Sequence, residues 1–334
     1  MIDSTKLLGQ SDHERLSLEV IAGQQAKRVE SLSDTSVTER TAASLSAWFS
    51  LLRPAHWIKN LLLVVPIIFS HAPISVDMFT KLVVGMVAMS LAASAGYIVN
   101  DIKDAAFDRL HARKRHRPIA AGLIRPQQAL TVAIGIAAAS LTLAAALIGA
   151  TVAIAVAAYL VATTAYSAYF KQFVGTDVAV LAGLYVWRLL IGGEITATSL
   201  SPWLICFSVN LFITLALIKR IDEVSSSMKT AAASPGRGYA HVHWSALLAV
   251  TGFFAFASLI TLAAYLTWSD ATVLYYRDHV WLWGAAFAVC LWLFHLWRRA
   301  IDGSIGGDPV MFAASNPMSL VLIGFGTAAY IQAI

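Results

Sequence analysis

Asn100, Asp101, Asp104 and Asp108 are the residues of this chain whose types and spacing most resemble a reaction centre. On a helix, steps of three and then four residues bring the three carboxylates to one face, with Asn100 just before the first. Three like charges at the end of an apolar stretch repel one another. The arrangement is costly unless a cation neutralises it, and hard carboxylate oxygens suit Mg²⁺, which keeps some of its waters and bridges to phosphates. Lys114, Arg115 and Arg117 follow within GYIVNDIKDAAFDRLHARKRHRPIAAG, residues 96–122, and supply cations for phosphate oxygens. The chemistry implied is metal-assisted handling of a phosphorylated substrate. His111 and His116 read as polar loop residues. The histidines show no H-E-x-x-H spacing, and neither a G-x-x-x-x-G-K-[ST] loop nor a G-x-S-x-G elbow occurs, so zinc-hydrolase, P-loop and serine-hydrolase chemistry are not indicated.

Further charged residues recur where apolar runs end. Lys59 and Asn60 follow Trp57, either as an interfacial anchor or as groups reaching a phosphate. Tyr166 and Lys171 close another run, and Asp177 six residues later repeats the pairing of acid with base. Arg188 lies inside an apolar stretch, VWRLLIGGE, and is expected to face inward, either paired with Glu194 or towards a polar cavity. Lys219, Arg220 and Glu223 end the next run, where cations complement a helix C-terminus or clamp phosphate oxygens.

The elements that must position these groups are membrane spans. Hydrophobic residues make up 58% of the 334 and charged residues 13%, far outside the soluble range. Apolar runs long enough to cross roughly 30 Å of hydrocarbon lie near 57–72, 81–99, 129–147, 151–169, 178–193, 203–218, 245–267, 280–297 and 312–333. About nine transmembrane helices are therefore expected, an all-α membrane domain over 47–334, preceded by a polar, disordered tail over 1–46 without a secretory signal. Cys206 and Cys290 both fall inside spans and read as packing residues. Fourteen lysines and arginines fall in the loops after spans 2, 4, 6 and 8, against Lys81 and Arg277 in the loops between. The positive-inside rule then puts the tail and the Asp-rich segment on the cytoplasmic face, and the C-terminus outside. That basic face suits anionic lipid head groups or a phosphorylated substrate. No nucleic-acid partner is expected.

N-D-x-x-D-x-x-x-D followed by R-P-I-A-A-G resembles the UbiA superfamily of intramembrane prenyltransferases. K-R-H-R-P-I-A-A-G is similar to the branch of decaprenyl-phosphate phosphoribosyltransferases rather than to the quinone branch. R-P-A-H-W-I-K-N (Arg53 to Asn60), Y-S-A-Y-F-K (Tyr166 to Lys171) with Asp177, and K-R-I-D-E (Lys219 to Glu223) agree. His111-Ala112 departs from the branch's usual His-Pro, which loosens a turn without removing a ligand. The resemblance, over about residues 50–334, implies a bundle around a central cavity in a bacterial inner membrane. It implies transfer of 5-phosphoribose from phosphoribosyl pyrophosphate to a polyprenyl phosphate, a step towards a lipid-linked pentose such as arabinose. Mg²⁺ on Asp101, Asp104 and Asp108 would bridge the pyrophosphate, and Lys114, Arg115, Arg117, Lys171 and Lys219 would clamp the anions. A second complete acidic cluster is not expected, since only Asp177 stands where the wider superfamily has one. The alternatives are a prenyltransferase acting on an aromatic acceptor and, in another class, a lipid carrier or transporter.

Overall fold

The structure, a computed structural model, describes residues 45–71, 73–110, 114–230, 239 and 243–334. The expected tail, up to residue 44, and the His111-Ala112 turn lie outside these. The chain divides into a small unit, Met1–Ser50, and a large one, Leu51–Ile334. Residues 45–50, the described part of the small unit, are helical (α1).

The large unit is all-helical among its described residues. A 3₁₀ stretch, Pro54–Leu63, leads into α2 (Val65–Ser70). The long helices are α3 (Val76–Leu110), α4 (Pro126–Leu147), α5 (Ala150–Ala168), α6 (Thr176–Ile195), α7 (Pro202–Thr230) and α8 (Trp244–Trp268). A short α9 (Asp270–Tyr275) precedes α10 (His279–Ile301), and α11 (Pro309–Ser315) precedes α12 (Pro317–Ala333). Among the described residues, eight helices are long and apolar enough to cross a membrane, or nine if the bent pair α11–α12 is one span.

Three elements depart from uninterrupted spans, the first being the 3₁₀ stretch Pro54–Leu63 where a regular helix is expected from 57. α3 runs eleven residues beyond the expected boundary at 99, because NDIKDAAFDRL holds no proline or glycine and its acids find cationic partners. The last span bends by 83° between α11 and α12. Asn316 stands before Pro317, which disfavours helical backbone angles there, and its side chain accepts from the Ser319 amide to start a new helix.

Two apolar cores meet at α6. Leu63, Ile67, Met89, Val156 and Ile191 belong to one; Leu189, Ile218, Ile221 and Leu296 belong to the other. Gly192 lets the 3₁₀ stretch close onto α6, since a Cβ there would lie 2.3 Å from the Leu63 carbonyl oxygen. The bundle closes where α11 meets α7 and the 3₁₀ stretch. Successive spans alternate in direction, so the C-terminal ends of α3, α5, α7 and α10 share one face with the starts of α6, α8 and α11.

Candidate active site

Apart from Arg188 and Glu194 on α6 and the Lys59–Asn60 pair in the 3₁₀ stretch, the singled-out acids and cations sit at these helix ends or in the connections between them, so alternation of the spans gathers them on one face. The end of α3 carries the first cluster. Arg53 donates to Asp101 at 2.5 Å, and Arg117 Nη1 bridges Asp101 at 3.3 Å and Asp108 at 2.6 Å. Asp101 and Asp108 are buried, at 2% and 4% exposure. Asp104 turns aside to pair with Lys171, in the 3₁₀ turn after α5, and accepts from Asn100 Nδ2 at 3.0 Å.

The three carboxylates share a helical face but do not converge on one point. Among the described residues, no three acidic, thiol or imidazole side chains are grouped to hold an ion. The donor set still suits Mg²⁺, which takes one or two carboxylates and completes its shell with water and phosphate oxygens. Arg53, Arg117 and Lys171 are the cations that approach the acids directly; Lys114 and Arg115 form a 3₁₀ turn beside Arg117. Arg115 Nε lies 3.3 Å from His116 Nε2.

A second cluster, built around Asp308, was not foreseen. Asp308 caps α11, accepting from the amides of Val310 and Met311, and pairs with Lys59, with His56 Nδ1 at 3.8 Å. Burial alone would raise the Asp308 carboxyl, but Lys59 and Lys219 outweigh it and hold it well below the usual carboxylate range. Asp222 secures the loop leading to Asp308, accepting from the amides of Ile305 at 2.9 Å and Gly307 at 3.1 Å. The only sequence cue to Asp308 is GGDPV, an acid between glycines and a proline, which marks a helix start.

Two further groups are sealed into the fold. Asp177 and Arg220, both with fully buried side chains, pair at 2.7 Å; Arg220 also binds Glu223 and reaches the Tyr166 hydroxyl at 3.4 Å. Tyr239 donates to Asp177 at 2.7 Å and accepts from the Gly175 amide. Burial pushes the Tyr239 phenol up to about 12; the Gly175 amide opposes this, and donation to Asp177 adds to it. Arg188 faces inward as expected, but its partners are Asn60 Oδ1 (3.0 Å), the Leu184 carbonyl (2.7 Å) and the Tyr159 hydroxyl (2.6 Å). Its expected pairing with Glu194 is not made. A six-residue offset turns the two side chains about 120° apart on the helix, and Glu194 is exposed. Asn60 therefore braces Arg188, and donates to Ser90 Oγ at 2.9 Å. Tyr185 links the regions, lying under both Lys59 and Arg188.

Residues 60–316 match the UbiA prenyltransferase family. Protein y4nM of Sinorhizobium fredii is 30% identical over 94% of this chain; the chain spans 62% of that protein's length. Decaprenyl-phosphate phosphoribosyltransferase of Mycobacterium tuberculosis is 32% identical over 60% of this chain and 68% of its own. A UbiA homolog from Archaeoglobus fulgidus, solved with GPP and Mg²⁺, superposes with a TM-score of 0.62 at 18% identity, over 85% of this chain and 99% of that one. With the match covering most of its length and the spans arranged as in that neighbour, the chain is an integral membrane protein that belongs to the UbiA prenyltransferase family.

Proposed function

We propose that the protein transfers 5-phosphoribose from phosphoribosyl pyrophosphate to a polyprenyl phosphate, with the site on the cytoplasmic face. The observation that carries this is the presence of two separate cationic groups on one face. Arg53, Arg117 and Lys171 lie on the acidic end of α3, while Lys59 and Lys219 act on Asp308. A donor bearing a pyrophosphate and a distant 5-phosphate needs two such groups; a prenyl diphosphate needs one. Lys171 belongs to the α3 cluster and Arg220 pairs with Asp177 and Glu223, so the group around Asp308 would receive the 5-phosphate, with Lys59 exchanging its Asp308 contact for a phosphate oxygen.

In the reaction, a phosphate oxygen of the lipid attacks C1 of the ribose. The bond from C1 to the pyrophosphate oxygen breaks, and the electron pair leaves with the pyrophosphate. The attacking oxygen is already anionic, so no general base is required. Arg117 and Lys171 would hold the pyrophosphate, and burial of Asp101 and Asp108 strengthens each charge–charge contact by excluding water. Asp101, Asp104 and Asp108, with Asn100 beside them, are the residues that would hold Mg²⁺, which when bound would supply positive charge against the pyrophosphate. Lys114 and Arg115, in the 3₁₀ turn before Arg117, would serve as further phosphate ligands.

A second reading, prenyl transfer to an aromatic acceptor, draws on the Archaeoglobus neighbour's bound GPP. One assay separates the two. Membranes holding the protein should move radiolabel from phosphoribosyl pyrophosphate into an organic-extractable lipid when given polyprenyl phosphate. Label moving instead from a prenyl diphosphate to an aromatic acid, with none from the sugar donor, would replace the phosphoribosyl reading.

A further inference from the structure

A cavity of about 350 Å³ lies away from that site, between α10 and α12. Leu291, Phe294, His295 and Arg298 repeat at offsets of three and four along α10 and so share one face; Met318 and Leu322, four apart, face them from α12. Leu291, Phe294 and Met318 are exposed, which in a membrane span means exposed to lipid. The groove is apolar along its length and cationic at one end, where Arg298 and Arg299 close α10. Both arginines are exposed, and the nine ion pairs among the described residues include neither.

Cations at a helix C-terminus favour the helix dipole, and that alone would explain two terminal arginines. It does not explain a cavity beneath them. Asp302 also lines the cavity, but Lys229 donates to its carbonyl at 2.6 Å and adds a third cation there. The positive end of α12 opens beside the same cavity at Met318, so the balance of charge remains positive. His295 holds the two helices in register, its Nε2 lying 3.1 Å from Asn316 Oδ1. That oxygen already accepts from the Ser319 amide, so the imidazole is the donor.

We infer that this groove binds one anionic phospholipid of the surrounding leaflet, its phosphate between Arg298 and Arg299 and one acyl chain along Leu291, Phe294, Met318 and Leu322. Charge complementarity selects the headgroup, and the apolar length below it selects a lipid over free phosphate. The inference does not depend on the reaction catalysed.

The test is native mass spectrometry of the purified full-length protein, titrated with phosphatidylglycerol, phosphatidylcholine and inorganic phosphate. Wild type should hold one phosphatidylglycerol at least tenfold more tightly than phosphatidylcholine, and a phosphate adduct should be unchanged by Arg298→Gln/Arg299→Gln. Arg298→Gln/Arg299→Gln should lose that preference by tenfold or more, the scale of two arginine–headgroup contacts. Arg277→Gln, which removes a charge from the opposite face, should retain it. Met318→Trp/Leu322→Trp leaves both arginines in place and should also weaken binding by blocking the chain; it carries the test if the arginine variant fails to fold. Equal affinity for the two phospholipids, or retention of the phosphatidylglycerol preference by either double variant, would overturn the assignment.

Discussion

Replacing Asp308 with Asn removes a charge while sparing the helix cap, because Asn caps as well as Asp. The Lys59 side chain keeps 9% of its exposure and Asp308 18%, so the variant strands an ammonium in a nearly dry site. Two unit charges about 4 Å apart interact by about 4 kcal/mol at an effective dielectric of about 20, and breaking one side of a buried pair costs about 3–5 kcal/mol. The exposure left to Asp308 favours the lower figure, about 3 kcal/mol. Asp308→Ala loses the cap as well and should cost about 1 kcal/mol more. Lys59→Met in the Asp308→Asn background removes the stranded charge, and should recover most of the loss.

The pH dependence follows from the sign of the shift. Lys59 and Lys219 hold the folded-state carboxyl below its unfolded value, so its stabilising contribution is complete above the ordinary carboxylate pKa of about 3.9 and is lost as pH falls through the lower folded value. The gap between wild type and Asp308→Asn should therefore be constant from pH 5 to pH 8 and narrow only below about pH 4. Unfolding in mixed detergent micelles, followed by circular dichroism, measures both effects. Additive losses in the double variant, or a gap that already closes near pH 6, would show that the Lys59–Asp308 pair is not the source of the stability.

Asp101→Asn and Asp104→Asn should each lower the transfer rate by orders of magnitude, and chelator-treated protein should regain activity only with Mg²⁺; indifference to all three treatments would remove the metal from the site. For the orientation, single cysteines replacing Arg115 and Asp270, in a background without Cys206 and Cys290, should react with impermeant reagents from opposite sides of the membrane. Same-side labelling would contradict the alternation of spans.

Apolar run length suffices to announce a membrane bundle, because the bilayer imposes one length on every span and tolerates few charges within it. The gathering of the acids and cations on one face was equally legible. Alternating spans put every second loop on one side, and the lysines and arginines lie almost wholly in one set of loops. Asp101, Asp104 and Asp108 stood out in the sequence because three acids at helical spacing repel one another unless cations approach them, and the structure brings Arg53, Arg117 and Lys171 to them. What each acid touches was decided by the tertiary structure. Helical spacing fixes a shared face, yet Arg53 arrives from 48 residues away and Lys171 from 67, and those arrivals divide the acids between two partners. Lys171 and Arg220, both plausible phosphate ligands as isolated cations, acquired fixed carboxylate partners only when α5 and α7 packed against their neighbours. Asp308 shows the limit most plainly. In sequence it is one acid before a proline, and its role arises because the last span returns to the first, 249 residues back, and buries its carboxylate against Lys59. A buried ion pair is specified by the low dielectric around it and by the approach of a distant chain segment, and neither is written into the residues that flank it.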